Sequence, residues 1–536
     1  MPDPRDSRDV RDARPAAVYI AVAVLSLAAS AWAVWSDPVI NTDGTLYVRA
    51  AEAITAGAWS EAMRIYPWPF YPALIGTLSR LSGLSAESSA HVVNGVLYAL
   101  LSAGFVALVR QLGGSRRTLV AAAILVLAAA PLNEQRSLVI RDAGAIAFQV
   151  LGLIAFLRIR EDATWRRSLA WGVFMTAAAL FRPEALIPFV FAPAALLFGP
   201  CPATGGRWRR FFRAHAILLF IAASIGALAL CAPESAVWNS LRSSRLAEPI
   251  TLLAPLTRIV TRTLPNRATS VSRTLFGEPD TGVGAILVVV GFVAVVGIAI
   301  AQALTLPHAV LALHAFARKH FRPAPAVRRV WWVFVALQLL ILVIVALIHF
   351  GVTQRSALFL ALLLAVPSSF SLAALYGRWR EGGGFAWRRD LLLVAVAVAL
   401  GVTLVDGLVA FGSSKHHLRE AGLWLRDNTP EHAVLFTNDT TVGHYARRSG
   451  PPDDAPIANR SYRPWEQVVE TLRGGRHDEF DVVAIRLRRG QRGAEALLER
   501  LLGATADDVF ANERGDRVVV FRRVQPAREE PEGREE

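Results

Sequence analysis

Residues 16–57 read "AAVYIAVAVLSLAASAWAVWSDPVINTDGTLYVRAAEAITAG". The first half is an uncharged apolar run of the roughly 20 residues that a membrane-spanning helix needs. The second half is polar and changes period. Leu46, Ala50, Ala53 and Ile54 fall on one side of a helix and Arg49 and Glu52 on the other, with Gly57 where a C-cap belongs. A chain that crosses a bilayer and at once starts a new helix at Asp43 puts a carboxylate at the lipid boundary. Asn41 to Thr45 can cap that helix, and an aspartate at a helix start can be no more than a cap. The next segment, "YPWPFYPALIG" at 66–76, interleaves Tyr66, Trp68, Phe70 and Tyr71 with Pro67, Pro69 and Pro72. Such aromatics favour the headgroup layer, so the first outer loop is expected to lie on the membrane surface.

Outward from this stretch, apolar runs recur along most of the chain. Of 536 residues, 54% are hydrophobic, which excludes an ordinary soluble domain. About eleven spans are expected, near 16–36, 91–110, 118–133, 143–159, 168–181, 184–199, 213–232, 282–305, 331–350, 356–376 and 390–411. The opening "MPDPRDSRDVRDARP" carries both signs of charge, and no small-residue cleavage pattern follows the first run. That run reads as a retained helix, not a removed signal.

The net charge of +14 is almost wholly arginine. The arginines cluster in short loops: "RDVRDAR", "RQLGGSRR", "RIREDATWRR", "RWRRFFR", "ARKHFRPAPAVRR" and "GRWREGGGFAWRR". All six fit one parity of the spans, so retention of basic loops in the cytoplasm explains them and nucleic acid is not an expected partner. The expectation is a multi-pass protein of the cytoplasmic (inner) membrane with its N-terminus cytoplasmic. Residues 37–90, 132–142, the turn around 182, 233–281 and 351–355 then lie outside, as does 412–536. The fold class is an α-helical polytopic membrane protein of about 11 transmembrane helices, residues 1–411, with a small extracytoplasmic α/β domain, 412–536. In that tail "LREAGLWLRDN" reads as helix, and "AVLFTN", "DVVAIRLR" and "DRVVVFRRV" as strands. The end, "QPAREEPEGREE", is apolar-poor and reads as disordered. Cys201 and Cys231 fall at opposite ends of neighbouring spans, which argues against a disulfide.

The ionisable residues gather on one side. The second outer loop, "PLNEQRSLVIRDAGAIAF", brings Glu134, Arg136, Arg141 and Asp142 to the mouth of a span, where Asp142 can also be an N-cap. "LFRPEALIP" sets Arg182 and Glu184 between two apolar stretches, and "HFGVTQRSALF" presents His349, Gln354 and Arg355. Ionisable groups at such depth usually face a cavity or one another. The long loop 233–281 holds Arg242, Arg245, Arg258, Arg262, Arg267 and Arg273 against Glu234, Glu248, Glu278 and Asp280. Either a phosphate ligand or anionic headgroups account for positive charge there. His416, His417, Asp439 and His444 in the tail lie in different elements and do not make a metal motif.

The ordered set "NTDGTLYVRAAEAITAG", "YPWPFYPALIG", "RSLVIRDAGAIAF", "FRPEALI", "QRSALFLALLLAVP" and "LREAGLWLRDNTPEHAVLFTND" resembles the multispanning glycosyltransferases of the GT-C type. The members it is most similar to are the bacterial ones of the protein O-mannosyltransferase and aminoarabinose transferase kind (glycosyltransferase family 39-like). The resemblance implies transfer of a sugar from a polyprenyl-phosphate carrier to a lipid, glycan or protein acceptor at the outer face, with membrane lipids around the site. It implies Asp43 and Asp142 as the catalytic carboxylates, in the first and second outer loops, and Arg355 as the arginine beside a late span. Family members that act on proteins often carry an acidic pair in the first loop; here Gly44 follows Asp43, which weighs against a protein acceptor. With Asp43 as general base, Arg141, Arg182 and Arg355 are expected to hold the donor phosphate. Tyr47, Arg64, Tyr66, Glu134 and Glu184 are expected along the acceptor groove. No ligand spacing establishes a metal, and a divalent cation shared by Asp43 and Asp142 stays open. A non-enzymatic lipid or sugar transporter is the rival reading.

Overall fold

The structure, a computed structural model, describes residues 15–198, 206–231, 235, 257–277, 281–382, 386–409, 415–448, 465–474 and 480–522. The expectations for the N-terminal charged stretch, for Cys201, for Arg242, Arg245, Glu234, Glu248, Glu278 and Asp280, and for the extreme C-terminus lie outside them. Contacts divide the chain into two compact units. One comprises Met1–Trp32, Val92–Arg136 and Ile140–Leu408; the other comprises Ala33–His91, Ser137–Val139 and Val409–Glu536.

The first unit is helical. Across the described residues eight helices are long and apolar enough to cross a membrane: Ala16–Ser36, Ala86–Gln111, Asp142–Glu161, Arg207–Cys231, Gly282–Leu304, Pro325–His349, Gln354–Glu381 and Asp390–Leu408. Three of the expected runs are built from shorter pieces, because of proline and length. At 118–133 the helix Arg116–Leu127 stops, and the chain resumes as the short turn Ala130–Asn133, which contains Pro131. At 184–199, Pro183, Pro188 and Pro193 cut the run into a 3₁₀ turn, the six-residue helix Leu186–Phe191 and a second 3₁₀ turn. Proline removes a ladder donor and clashes with the preceding turn. The helix Trp165–Phe181 has 17 residues, a rise of about 25 Å against a hydrocarbon core of about 30 Å. The run expected at 282–305 ends at Leu304; Thr305 adopts φ 57° and a further helix, Leu306–Ala317, follows. Part of the segment 233–281 is also helical, over Leu264–Phe276. Asp142–Glu161 and Gln354–Glu381 are the most enclosed of the eight spans, whereas Arg207–Cys231, Gly282–Leu304 and Asp390–Leu408 turn most of their apolar surface outward.

The second unit holds the helices Thr42–Thr55, Trp59–Ile65 and Phe70–Ser82 together with the C-terminal sheet. The sheet contains β1 (Leu435–Thr437), β2 (Val482–Leu487), β3 (Asp508–Ala511) and β4 (Arg517–Arg522), in the order β1-β2-β4-β3. β1 runs parallel to β2, and the other pairs are antiparallel. Alternate residues feed two cores. Val482, Ala484, Val518 and Val520 pack with Leu418, Ala421 and Leu425 of the helix His416–Asn428. Val483, Ile485, Leu487, Val519 and Phe521 pack with Val468, Leu472 and Leu498 of the helices Trp465–Arg473 and Ala494–Leu502. Both faces are covered, which is why β2 and β4 read as continuous apolar runs.

Candidate active site

In the helical unit the site starts from Asp142, in the first turn of Asp142–Glu161. Arg141 occupies the N-cap position and no side chain caps the helix, so Asp142 is not the cap that its place in the sequence allows. Its carboxylate is spent on arginines. Gly144, one turn into the helix, has no side chain where a Cβ would lie 2.6 Å from the Phe181 ring. That close approach brings in Arg182, at the C-terminal end of Trp165–Phe181, whose Nη1 donates to Asp142 Oδ1. Arg355, in the first turn of Gln354–Glu381, donates from Nε to Asp142 Oδ2 at 2.7 Å. Arg182 also reaches Glu184 Oε1 through Nη2 at 2.9 Å.

Burial separates the partners. The Asp142 side chain is 2% exposed, while those of Arg182 and Arg355 are 24% and 30% exposed. Both arginine side chains keep part of their surface exposed, whereas the carboxylate that sets them keeps almost none. Beside them Gln354 donates to Glu134 Oε2 at 3.5 Å, the outer limit of a hydrogen bond. Arg136 does not join this cluster. It turns inward, donating to Asn133 Oδ1, Ser26 O, Ser26 Oγ and Ser30 Oγ, with its guanidinium 5.0 Å from the centroid of the Tyr98 ring. It is a strut between the helix Ala16–Ser36 and the loop at 132–142. Below Arg355, the residues Leu358, Leu362 and Ala365 share its helix stripe and line a narrow apolar cavity with Phe105, Leu125 and Leu132.

In the second unit Asp43 sits in the first turn of Thr42–Thr55. Asn41 is the N-cap by position, yet its side chain makes no cap bond. It accepts instead from the Val139 backbone N–H, at 2.7 Å. Gly44 is required by the same packing: a Cβ there would come 2.8 Å from Asn41 Oδ1 and Ile40 Cγ1 and 2.9 Å from Val139 Cβ. The departure from an acidic pair noted in the sequence thus has a steric cause. At the far end Gly57, with φ 81°, closes the helix as expected, donating to Ile54 O at 3.0 Å. Tyr47 packs edge-on against Tyr66 and Tyr71, with centroids 4.9 and 5.1 Å away. Arg64 pairs with Glu61 at 2.8 Å.

Of the residues singled out, Asp142, Arg182, Glu184 and Arg355 are brought into one ion-pair chain, flanked in sequence by Arg141 and through Gln354 by Glu134. Asp43, Tyr47, Arg64 and Tyr66 belong to the other compact unit. Among the described residues no group of three or more His, Cys, Asp or Glu could hold a metal ion. Asp439, one of the tail residues considered for a metal, instead pairs with Arg486 at 2.8 Å and caps the Thr441 amide. Sequence reasoning passed over Asn41 as a tether, and it passed over Tyr445, whose hydroxyl lies 3.0 Å from the Ile40 amide.

No family model and no curated protein matches this chain. Solved structures do align. One is the archaeal oligosaccharyltransferase AglB from Archaeoglobus fulgidus, in complex with an inhibitory peptide and a dolichol-phosphate, at 12% identity and TM-score 0.46, covering 90% of this chain and 71% of that one. Another is ArnT from Cupriavidus metallidurans bound to undecaprenyl phosphate, at 14% identity and TM-score 0.41, covering 94% and 97%. A third is the mycobacterial arabinofuranosyltransferase AftD, at 15% identity and TM-score 0.44, covering 87% of this chain and 36% of that one. They are transferases of the kind the motif set resembles. Identities of 12–15% and scores below 0.5 carry no argument about the site, which stands on its own geometry.

Proposed function

We propose that this chain is an integral membrane glycosyltransferase. It moves a sugar from a polyprenyl-phosphate-linked donor to an acceptor on the outer face of the cytoplasmic membrane, with inversion at the anomeric carbon. The observation that carries this reading is the Asp142 cluster: a buried carboxylate holds two arginines from different elements, each with part of its side chain exposed. Arginines fixed in this way suit an oxyanion that develops during reaction, because the dipoles are set before the charge appears.

In the reaction the acceptor hydroxyl attacks the anomeric carbon while Asp43 takes its proton. The bond from that carbon to the phosphate oxygen breaks, and the polyprenyl phosphate leaves with the bonding electrons. Arg182 and Arg355, with Arg141 at the helix start, offset the growing charge on the leaving phosphate. Asp142 touches the arginines and not the reacting atoms, so it is a positioning residue, and Glu184 holds Arg182 from its other side. Asn41 steadies the turn that carries Asp43, because its side chain accepts the Val139 N–H at 2.7 Å. Tyr47 and Tyr66, expected along the acceptor groove, are buried and pack edge-on against each other, so they brace the helix that carries Asp43.

The test uses purified protein in lipid nanodiscs with a polyprenyl-phosphate sugar, following release of polyprenyl phosphate. The wild type consumes the donor, and Asp43→Asn lowers turnover by about 10²–10⁴-fold, the usual contribution of a positioned general base. A donor that crosses the bilayer intact, with no release in any variant, identifies a transporter and removes the enzyme reading.

A further inference from the structure

The C-terminal residues reach back to the segment that carries Asp43. Tyr445 ends the short helix Thr440–Tyr445, and its hydroxyl accepts the Ile40 N–H at 3.0 Å across 405 residues of sequence. The same hydroxyl lies 2.9 Å from Glu87 Oε1, to which it donates, and 3.2 Å from Pro38 O. Burial, and then the Glu87 carboxylate, push the phenol above its ordinary range, so it stays protonated as that donor. Ile40 is fully buried, so its amide has no access to water as a substitute partner.

The ring is held as firmly as the hydroxyl. Gly422 lies where a Cβ would come 2.6 Å from Tyr445 Cβ, so the helix His416–Asn428 packs directly against it. The Arg419 guanidinium sits 5.6 Å from the ring centroid. His444, the preceding residue, approaches Glu87 Oε2 at 3.7 Å. One turn of the tail therefore grips residues 38–40 and the start of the helix at 86, all within one compact unit. Asp43 lies three residues beyond the gripped amide.

We infer that Tyr445 is a positioning residue for Asp43: its hydroxyl fixes the backbone that enters the Thr42–Thr55 helix, which makes the C-terminal segment part of the catalytic mount. The inference rests on Asp43 acting as the base. Catalytic groups tolerate little displacement, and an error of about 1 Å can cost 10²-fold. A tail that served only as a separate binding module would have no need to satisfy an amide so close to that carboxylate.

The test compares full-length wild type, Tyr445→Phe and Asp43→Asn in nanodiscs with a polyprenyl-phosphate sugar, alongside amide hydrogen exchange over residues 38–45. Tyr445→Phe keeps the ring and removes the hydroxyl's contacts with Ile40, Glu87 and Pro38. The expected result is a fall in kcat of about tenfold, within the range that small displacements produce. The donor KM should stay within twofold of wild type, and the amides near Ile40 should exchange faster. Glu87→Gln, which keeps an acceptor for the phenol, should retain most of the turnover. Arg517→Gln, which breaks the Arg517–Glu495 pair on β4, should turn over like wild type. Unchanged kcat in Tyr445→Phe overturns the inference, as does a rise in KM alone or a loss of activity without faster exchange. The two readings fail separately. Full turnover in Asp43→Asn removes the base, whereas full turnover in Tyr445→Phe beside an inactive Asp43→Asn removes only the clamp.

Discussion

The two aspartates at helix starts are held in opposite ways. Asp142 is itself buried and fully engaged, with an arginine on each carboxylate oxygen. Around Asp43 it is the backbone that is fixed: Asn41 bonds to Val139, Ile40 bonds to Tyr445, and Gly44 leaves no room for the turn to shift. A carboxylate whose lone pairs go to guanidinium groups is a poor proton acceptor and a good organiser of positive charge. A carboxylate on a rigid turn, half-buried and not fully enclosed, can meet a substrate. Two residues of the same type at the same place on a helix can therefore have different tasks, and the surroundings decide which.

The largest effect expected from breaking this contrast is the loss of Asp43. Asp43→Asn should lower turnover by about 10²–10⁴-fold with the donor KM and the unfolding temperature near wild type. Next comes Asp142→Ala, which leaves two arginines without their buried partner. Removing one side of a buried ion pair costs about 3–5 kcal/mol, and the partial exposure of Arg182 and Arg355 puts the loss at the low end. Thermal unfolding in detergent should show a clear drop, with Asp142→Asn milder because it keeps an acceptor.

A third change sharpens the assignment of the arginines. Arg355→Lys keeps the charge and loses the planar fork, so the donor KM should rise about tenfold, the worth of one charge-assisted hydrogen bond. Gly44→Ala tests the rigid turn. Its Cβ needs space that Asn41, Ile40 and Val139 already fill, at a cost of about 1–3 kcal/mol, and kcat should fall as Asp43 shifts. The smallest effect belongs to the exposed pair Arg117–Glu381, where Arg117→Ala should change stability by no more than about 1 kcal/mol.

Much of this was legible in the residues. Period and run length give the spans, and the tail's apolar strands and amphipathic helix "LREAGLWLRDN" give an α/β unit whose sheet is covered on both faces. The charge pattern placed Asp142, Arg182, Glu184 and Arg355 as mutual candidates, and they do form one network. The span count was less legible, since hydropathy sums over prolines that interrupt the backbone ladder, as at Pro183, Pro188 and Pro193. Asn41 read as a cap because capping is local and visible in sequence, whereas its bond to Val139 joins residues 98 apart. Tyr445 gave less signal still: a single tyrosine after His444 in "TTVGHYARR" has no period or motif, and its partners are a backbone amide and a glutamate far upstream.

The most direct measurement is the split between kcat and donor KM for Asp43→Asn and Asp142→Asn in the same nanodisc preparation. If one aspartate takes the proton and the other aims the arginines, the first variant loses turnover at an unchanged KM, and the second loses part of kcat and raises KM as well. An Asp43→Asn protein that turns over like wild type, beside an Asp142→Asn protein that has lost kcat alone, contradicts the account.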